Sequence, residues 1–333
     1  MEVDILNGNR LALSRLLTQI ENDTPAGRET LRVLFPRTGR AHLIGVTGAP
    51  GTGKSSLVNQ LARHYRKSAS PQRVAVVAVD PSSPFTGGAV LGDRIRMTDL
   101  SGDPGVFIRS MASRGSLGGL ARATAGLVQA FDAAGYDVIL IETVGAGQAE
   151  VDIARLAHTT LVVEAPGLGD EIQAIKAGIL EIADILVINK ADRPGVENTE
   201  RALRGMLQLA HPVQRIFRHH GRPERLTPDT PTPDAPLWLP PIQRTIASEG
   251  KGIAELAESI ARHREFLIKT GDLERRERAR LQNELDLRIQ ETLVKRWQAG
   301  MTNEQYDKAL EKLVKREVSP EEAVEALTQE PKK

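Results

Sequence analysis

Several features are missing from this sequence, and each absence narrows the possibilities. None of the 333 residues is cysteine, which excludes disulfides and thiolate zinc sites and argues against a small secreted scaffold. No run of about 18 apolar residues is present, so we expect no membrane-spanning segment. The 44 Lys and Arg residues balance 43 Asp and Glu, and the net charge of +1 argues against nucleic acid or a membrane surface as a partner. The first ten residues include Glu2 and Asp4 and lack a long apolar core, so we expect no signal peptide and a soluble, cytoplasmic protein.

The centre of the chain has the pattern of a parallel sheet. Between residues 41 and 190, short apolar runs alternate with amphipathic or Gly-rich stretches. The runs are residues 43–46, 74–79, 138–141, 161–163 and 185–188. They are mostly β-branched and continuous, which is typical of strands covered on both faces. The sequence therefore predicts an α/β fold with a mostly parallel sheet flanked by helices.

Both ends of the chain have helical patterns. Apolar residues recur on one helix face within residues 1–35, and a second short helix is predicted after Pro25. After Gly271 the chain is charged and helical, with an apolar stripe that predicts a buried face. The stripe consists of Leu281, Leu285, Ile289, Leu293 and Trp297. We predict an N-terminal helical extension (1–40), a central α/β domain (41–265) and a C-terminal helical region (266–333), with a long irregular connection at 211–241.

The most specific motif follows the first predicted strand. Residues 48–55 read GAPGTGKS, which fits the pattern G-x-x-x-x-G-K-[ST] between a strand and a helix. Glycines let backbone N–H groups wrap a phosphate chain, and the helix N-terminus adds a favourable dipole. We expect Lys54 to contact the β- and γ-phosphates and Ser55 to bind Mg²⁺. The predicted nucleotide-binding residues of this segment are Gly48, Ala49, Pro50, Gly51, Thr52, Gly53, Lys54, Ser55 and Ser56.

A second motif indicates which base is bound. Residues 189–192 read NKAD and close the predicted strand 185–188, at the end of a strand where open α/β sheets bind ligands. The carboxylate of Asp192 can accept hydrogen bonds from N1–H and N2–H₂ of guanine. Adenine lacks this pair of donors and would leave the acceptor unpaired. Asn189, Lys190 and Asp192 therefore predict GTP or GDP as the ligand.

Three acidic residues are candidates for the divalent cation. Asp80 ends the strand 74–79, Glu142 ends the strand 138–141, and Asp93 lies in a Gly-rich stretch between them. In many GTPases the third sequence motif is D-x-x-G, and this chain has Glu142-x-x-Gly145 instead. Carboxylate oxygens suit a hard cation such as Mg²⁺. We predict that Ser55, Asp80, Asp93 and Glu142 bind Mg²⁺, and that Lys54, Asp93 and Glu142 act in catalysis.

Together these residues resemble the MeaB/ArgK family of P-loop GTPases, the methylmalonyl-CoA mutase-associated GTPases. Further segments with this resemblance are residues 79–83, 86–88, 91–97, 115–119, 142–148 and 169–176. The resemblance implies a P-loop fold, a homodimer formed by the C-terminal helices, and GTP hydrolysis. It also implies a chaperone that gates adenosylcobalamin loading onto a B12-dependent acyl-CoA mutase and protects or reactivates that mutase.

The resemblance assigns roles to residues outside the two motifs. Asp170, Gln173 and Lys176 would belong to a third switch that signals the nucleotide state to the mutase. The guanine-contacting tripeptide of the family is represented by Ile246, Ala247 and Ser248, so its serine is shifted or lost. We expect Ala247, through its backbone N–H, and Ser248 to contact the base.

Hydrolysis without a partner is expected to be slow. Phosphoryl transfer to water needs in-line geometry and charge neutralisation. No glutamine directly follows Gly145, and no arginine is identifiable as a finger. Gln148 is the nearby candidate for positioning the water. The resemblance implies three switches, at residues 80–97, 142–148 and 170–176. We therefore predict acceleration when a partner orders these segments.

Three other functions stay open at this stage. A GTP-dependent metallochaperone of the hydrogenase or urease maturation type shares the GTPase core, but such proteins usually carry cysteine ligands. A kinase for periplasmic amino-acid-binding proteins would need a catalytic base for a protein substrate, and the sequence supplies none. A nucleotide-gated scaffold without turnover is disfavoured by Lys54, Ser55 and the acidic residues.

Overall fold

The computed structural model describes residues 2–81, 100, 102–113, 119–143, 149–167, 182–209, 216–219, 222–225 and 236–328. The helices of these ranges are α1 (Glu2–Leu6), α2 (Arg10–Glu21), α3 (Pro25–Leu34), α4 (Lys54–Lys67), α5 (Gly119–Ala133), α6 (Ala149–Leu156), α7 (Val196–Leu209), α8 (Ile253–Thr270), α9 (Asp272–Gly300), α10 (Asn303–Val314) and α11 (Pro320–Thr328). The strands are β1 (His42–Thr47), β2 (Val74–Pro81), β3 (Val106–Ser113), β4 (Val138–Thr143), β5 (Thr159–Glu164), β6 (Ile185–Ile188), β7 (Ile216–His219), β8 (Arg222–Arg225) and β9 (Ile242–Arg244). A short 3₁₀ helix (Phe35–Arg37) follows α3.

A parallel sheet forms the centre of the molecule. Its seven strands have the order β3-β2-β4-β1-β5-β6-β9, and every neighbouring pair is parallel. The predicted α/β fold with flanking helices is therefore confirmed. Because parallel strands share one direction, their carboxyl ends meet at one edge of the sheet, where ligands bind in such folds.

The connection at 211–241, which we predicted to be irregular, contains a pair of strands. Strands β7 and β8 pair in an antiparallel arrangement within residues 211–241, so the prediction for this segment is wrong at these residues. We based that prediction on the Pro, His and Arg content of the segment. A pair of four-residue strands outside the main sheet gives too short a pattern to outweigh this composition.

The two faces of the sheet bury two apolar layers, because side chains alternate along each strand. Ile44 and Val46 of β1 pack in a cluster with residues of α4 and α8. Leu43 of β1 packs on the other face, in a cluster with residues of α2, α3 and α5. Each fully buried aliphatic side chain contributes roughly 1.5–3 kcal/mol to folding. The continuous apolar runs of the sequence reflect this burial on both faces.

The N-terminal helices belong to the layer on the second face. Helix α2 starts where the side chain of Asn9 accepts hydrogen bonds from the N–H groups of Leu11 and Ala12, both at 3.0 Å. Its buried residues include Leu16 and Leu17, which are fully buried in the cluster with α5. Two guanidinium nitrogens of Arg109 in β3 donate to the carboxylate of Glu21, each at 2.6 Å. The N-terminal extension is thus anchored to the edge strand of the sheet.

Helices α8 and α9 attach at the amino-terminal edge of the sheet, opposite the carboxyl ends of the strands. Arg276 binds the buried carboxylate of Asp184 through two nitrogens, each at 3.0 Å. His263 lies 3.2 Å from the same carboxylate, and its other ring nitrogen is 2.9 Å from the hydroxyl of Thr159. Nε2 of His42 lies 2.9 Å from the same hydroxyl. Through His263 and Arg276, these contacts hold α8 and the first turns of α9 against the sheet.

The chain divides into two compact units, Met1–Arg280 and Leu281–Lys333. The boundaries that we predict after residues 40 and 265 stay predictions. Within the second unit, the indole N–H of Trp297 donates to the carbonyl of Leu327 at 2.8 Å. The apolar stripe on α9 was expected to be buried, and this is wrong for the single chain: Leu285, Ile289 and Leu293 are each about half exposed or more. None of the described helices is long and apolar enough to cross a membrane.

Candidate functional site

The phosphate loop, residues 48–55, connects β1 to α4 at the carboxyl edge of the sheet. Gly48 has φ 137° and Gly53 has φ 93°, a region of backbone conformation that favours glycine. A Cβ atom on Gly48 would lie 2.1 Å from the carbonyl oxygen of Val163. A Cβ atom on Gly53 would lie 2.4 Å from Nδ2 of Asn189. Both glycines are therefore required by φ and by close approach of neighbouring groups.

Lys54 is the first residue of α4 and lies almost fully buried inside the loop. Its ammonium group donates to the carbonyl oxygens of Gly48 at 2.8 Å and Ala49 at 2.9 Å. An unpaired buried ammonium group would be costly, so the loop stabilises this cation with its own backbone. The same position places a positive charge next to the N-terminus of α4, where the helix dipole also favours an anion.

Ser55 and Glu142 are in direct contact. The Ser55 hydroxyl donates to Oε1 of Glu142 at 2.6 Å, and both side chains are buried. Helix α4 supplies the serine and the carboxyl end of β4 supplies the glutamate, so two distant segments of sequence meet here. Hydroxyl and carboxylate oxygens are hard donors of the kind that Mg²⁺ prefers. This pair of oxygens therefore fits the predicted magnesium site.

Asn189 connects the phosphate loop to the segment after β9. Its Nδ2 donates to the carbonyl oxygen of Thr52 at 2.8 Å. Its Oδ1 accepts from the hydroxyl of Thr245 at 3.1 Å and from the N–H of Ala247 at 3.0 Å. Asn189 is almost fully buried, so these bonds form away from solvent. One side chain thereby fixes two loops relative to each other.

Lys190 and Asp192 follow at the end of β6. Lys190 has φ 56°, unusual for a residue with a side chain, and its ammonium group donates to the carbonyl of Gly51 at 2.5 Å. Asp192 is exposed at this edge of the sheet. The N–H of Ala191 donates to the carbonyl of Thr245 at 3.0 Å, which ties this turn to the segment after β9.

Residues 245–252, which we call the base loop after their predicted role, have a closed conformation. Ile246 and Lys251 form an antiparallel bridge across it. A Cβ atom on Gly252 would lie 2.2 Å from the carbonyl oxygen of Arg244, so the loop closes tightly. Ala247 is buried and Ser248 is exposed at its tip. The N–H of Ala247, which we expected to contact the base, is donated to Asn189 in this structure.

Sequence reasoning did not identify Thr245 as part of the site. Its hydroxyl bonds Asn189, and its backbone N–H donates to the carbonyl of Ile188 at 2.9 Å. The available signal was its position directly before the tripeptide 246–248.

Several predicted site residues lie outside the described residues. They are Asp93, Gln148, Asp170, Gln173 and Lys176. Asp80 belongs to β2, and its side chain is likewise outside the described part of the chain. The magnesium ligands and the third switch thus stay predictions at these positions.

Comparison with known proteins gives a consistent result. The profile of the family described as methylmalonyl Co-A mutase-associated GTPase MeaB matches residues 13–302. A putative GTPase of Pyrococcus abyssi is 43% identical over 97% of this chain and 93% of that protein. GTPase ArgK of Escherichia coli is 34% identical over 80% of this chain and 76% of that protein.

Two further matches extend the comparison. The mitochondrial methylmalonic aciduria type A homolog of Caenorhabditis elegans is 31% identical, over 82% of this chain and 67% of that protein. A solved structure of an LAO/AO transport system kinase has a TM-score of 0.68 and 26% identity, and the match covers 98% of this chain and 95% of that one. The chain therefore belongs to the MeaB family of methylmalonyl-CoA mutase-associated GTPases.

Proposed function

We propose that this chain hydrolyses GTP to GDP and phosphate in the site between the phosphate loop and the base loop. The observation that carries the proposal is the set of bonds made by Asn189, which joins Thr52 of the phosphate loop to Ala247 of the base loop. These bonds hold the two loops together at one edge of the sheet, which supports a phosphate site beside a base site. Asp192, exposed beside them, supplies the carboxylate acceptor that selects guanine over adenine.

Charge neutralisation is the main task of the chain's own residues in this reaction. Lys54 exchanges its bonds to Gly48 and Ala49 for bonds to the β- and γ-phosphate oxygens, and the N–H groups of the loop bind the same phosphates. Ser55 with Asp80, Asp93 and Glu142 would hold Mg²⁺, which neutralises charge on these oxygens. Because Lys54 already lies inside the loop, its positive charge is in place before the nucleotide binds.

Slow turnover without a partner is part of the proposal. No glutamine directly follows Gly145, so the residue that positions the attacking water is not supplied at that position. A partner that orders the switch segments would complete the site. Single-turnover hydrolysis that is already fast in the isolated protein would contradict this point.

We further propose that the partner is an adenosylcobalamin-dependent acyl-CoA mutase, whose cofactor loading and protection the GTPase cycle controls in the cytoplasm. Support comes from the family description and from the name of the Caenorhabditis relative. The exposed apolar residues Leu285, Ile289 and Leu293 on α9 support a homodimer formed through the C-terminal region.

The partner is tested by affinity capture from the native host, with the protein loaded with a non-hydrolysable GTP analogue or with GDP. We expect a B12-dependent mutase, identified by mass spectrometry and by its own activity, to depend on the loaded nucleotide. Its absence under both conditions would contradict the chaperone function.

Lys176→Ala tests the third switch with the same partner. We expect GTP affinity near that of the wild type and weaker stimulation of hydrolysis by the mutase. Lys67→Ala, at the exposed end of α4, is the matched control and should leave stimulation unchanged. Unchanged stimulation in Lys176→Ala would remove the signalling role of this residue.

A further inference from the structure

A pair of buried hydroxyl groups lies at the carboxyl edge of the sheet. Thr47 is the last residue of β1 and Thr143 the last residue of β4, and both are completely buried. The hydroxyl of Thr143 donates to the hydroxyl of Thr47 at 3.2 Å. Two valines of the same shape would fill this space without desolvating polar groups, so packing alone does not require the hydroxyls.

The hydroxyl bond lies just beyond the paired part of the two strands. The register of β1 with β4 runs from His42 and Val138 to Val46 and Glu142. Beyond that point Thr47 is paired with Val162 of β5, and Thr143 with Val79 of β2. The bond between the two threonines therefore joins the two halves of the sheet at the edge that carries the site.

Both strands lead directly into residues of the site. Thr47 precedes Gly48, where the phosphate loop begins, and Thr143 follows Glu142, whose carboxylate accepts from Ser55. Side chains alternate along a strand, so Thr143 points to the face of the sheet opposite Glu142. The hydroxyl pair thus lies outside the set of oxygens that would contact the cation, on the backbone that carries them.

We propose that Thr47 and Thr143 are positioning residues that hold Ser55 and Glu142 at the separation which Mg²⁺ requires. This inference rests on the proposed function, because it assumes that the Ser55 and Glu142 oxygens form the magnesium site. A cation site depends steeply on the placement of its oxygens, whereas the nucleotide is also held by the rest of the phosphate loop and by the base loop.

Magnesium dependence of nucleotide retention gives the test. The release rate of a fluorescent GDP analogue is measured over a range of Mg²⁺ concentrations, together with GDP affinity in EDTA. We expect Thr47→Val and Thr143→Val each to raise the half-saturating Mg²⁺ concentration about fivefold, equivalent to ~1 kcal/mol for one lost hydrogen bond. Affinity in EDTA should stay within about twofold. Thr143→Ser, which keeps the hydroxyl, should behave as the wild type.

The double variant Thr47→Val/Thr143→Val separates positioning from stability. It leaves no buried hydroxyl alone, so its free energy of unfolding should recover relative to the single variants. Its half-saturating Mg²⁺ concentration should nevertheless stay raised about fivefold rather than multiply, because both changes remove one bond. Thr160→Val is the matched control, since this residue of β5 is also fully buried and its hydroxyl has no hydrogen-bond partner among the described residues.

The outcomes are distinguishable. If both single variants have the same half-saturating Mg²⁺ concentration as the wild type and Thr160→Val, the positioning role is overturned. If the half-saturating Mg²⁺ concentration of the double variant returns to the wild-type value together with its free energy of unfolding, the pair is only structural, and the positioning role is also overturned. A wild-type protein that retains guanine nucleotide no better with Mg²⁺ than in EDTA would instead contradict the proposed site itself.

Discussion

Replacing Asn189 by alanine is the perturbation that tests the architecture of the site most sharply. The change removes an almost fully buried side chain that bonds Thr52, Thr245 and Ala247 at 2.8, 3.1 and 3.0 Å. All three contacts link segments that are far apart in the sequence; Asn189 and Thr52 are separated by 137 residues. Bonds from Lys190 to Gly51 and from Ala191 to Thr245 connect the same segments, but within residues 189–191 only Asn189 bonds both loops through one side chain.

The expected magnitude follows from these three bonds. Each contributes about 0.5–1.5 kcal/mol net, and groups left buried without a partner add to the loss. A total near 3 kcal/mol corresponds to an affinity for GTP that is about 100-fold weaker. The assay is equilibrium titration with a fluorescent GTP analogue, with urea unfolding of the same samples to show how much of the loss falls on folding.

A second variant sharpens the result. Asn189→Asp keeps the acceptor for Thr245 and Ala247 but replaces the donor to Thr52 with a buried carboxylate oxygen. We expect its affinity for GTP to fall at least as far as that of Asn189→Ala, since the new oxygen faces the carbonyl of Thr52 and its charge is buried. Asn198→Ala, at an exposed position of α7, is the control and should bind as the wild type. Binding by Asn189→Ala within about threefold of the wild type would refute the reasoning.

Two further predictions concern the base and pH. Asp192→Asn should weaken GTP binding by about 100-fold. It should improve binding of xanthosine triphosphate, because the amide accepts from N1–H and donates to the C2 oxygen that replaces the amino group of guanine. An unchanged preference for GTP over xanthosine triphosphate in competition titrations would contradict the role of Asp192. Burial lowers the pKa of His42 and His158 below the ordinary value, so the free energy of unfolding should be fully present above about pH 6.5 and fall as the pH decreases, with a slope of up to ~1.4 kcal/mol per pH unit for each neutral histidine. Burial opposes ionisation of Glu277, but bonds from His158 and Arg280 lower its pKa to about 2, so its contribution should be lost only below about pH 4.5. Urea titrations from pH 8 to 4 that show no loss of stability between 6.5 and 5 would refute this.

The sequence predicted the central strands and the phosphate loop because each has a local signal. Strand β1 is buried along its whole length, and Gly48 and Gly53 follow at positions that a Cβ atom could not occupy. Strand β3 was not predicted. It is an edge strand, and its middle residues Ile108, Arg109 and Ser110 are only half-buried, so its apolar residues do not form a continuous run.

The remaining differences arise from contacts that no local pattern encodes. The bonds of Asn189 depend on the tertiary arrangement of three segments, and they engage the N–H of Ala247 that we assigned to the base. The stripe on α9 has the period of a buried helix face, but Leu285 and Leu293 are exposed in the single chain. Periodicity predicts that an apolar face exists, and it does not predict whether the same chain or another one covers it.

The central claim is that the site hydrolyses a guanine nucleotide, and phosphate release from GTP and from ATP tests it most directly. Both nucleotides are measured with the same enzyme preparation at the same Mg²⁺ concentration, with Lys54→Ala as the inactive control. We predict magnesium-dependent phosphate release from GTP, none above the Lys54→Ala background from ATP, and competition by GDP but not ADP. Equal release from the two nucleotides, or release from GTP that Lys54→Ala does not reduce, would contradict the account.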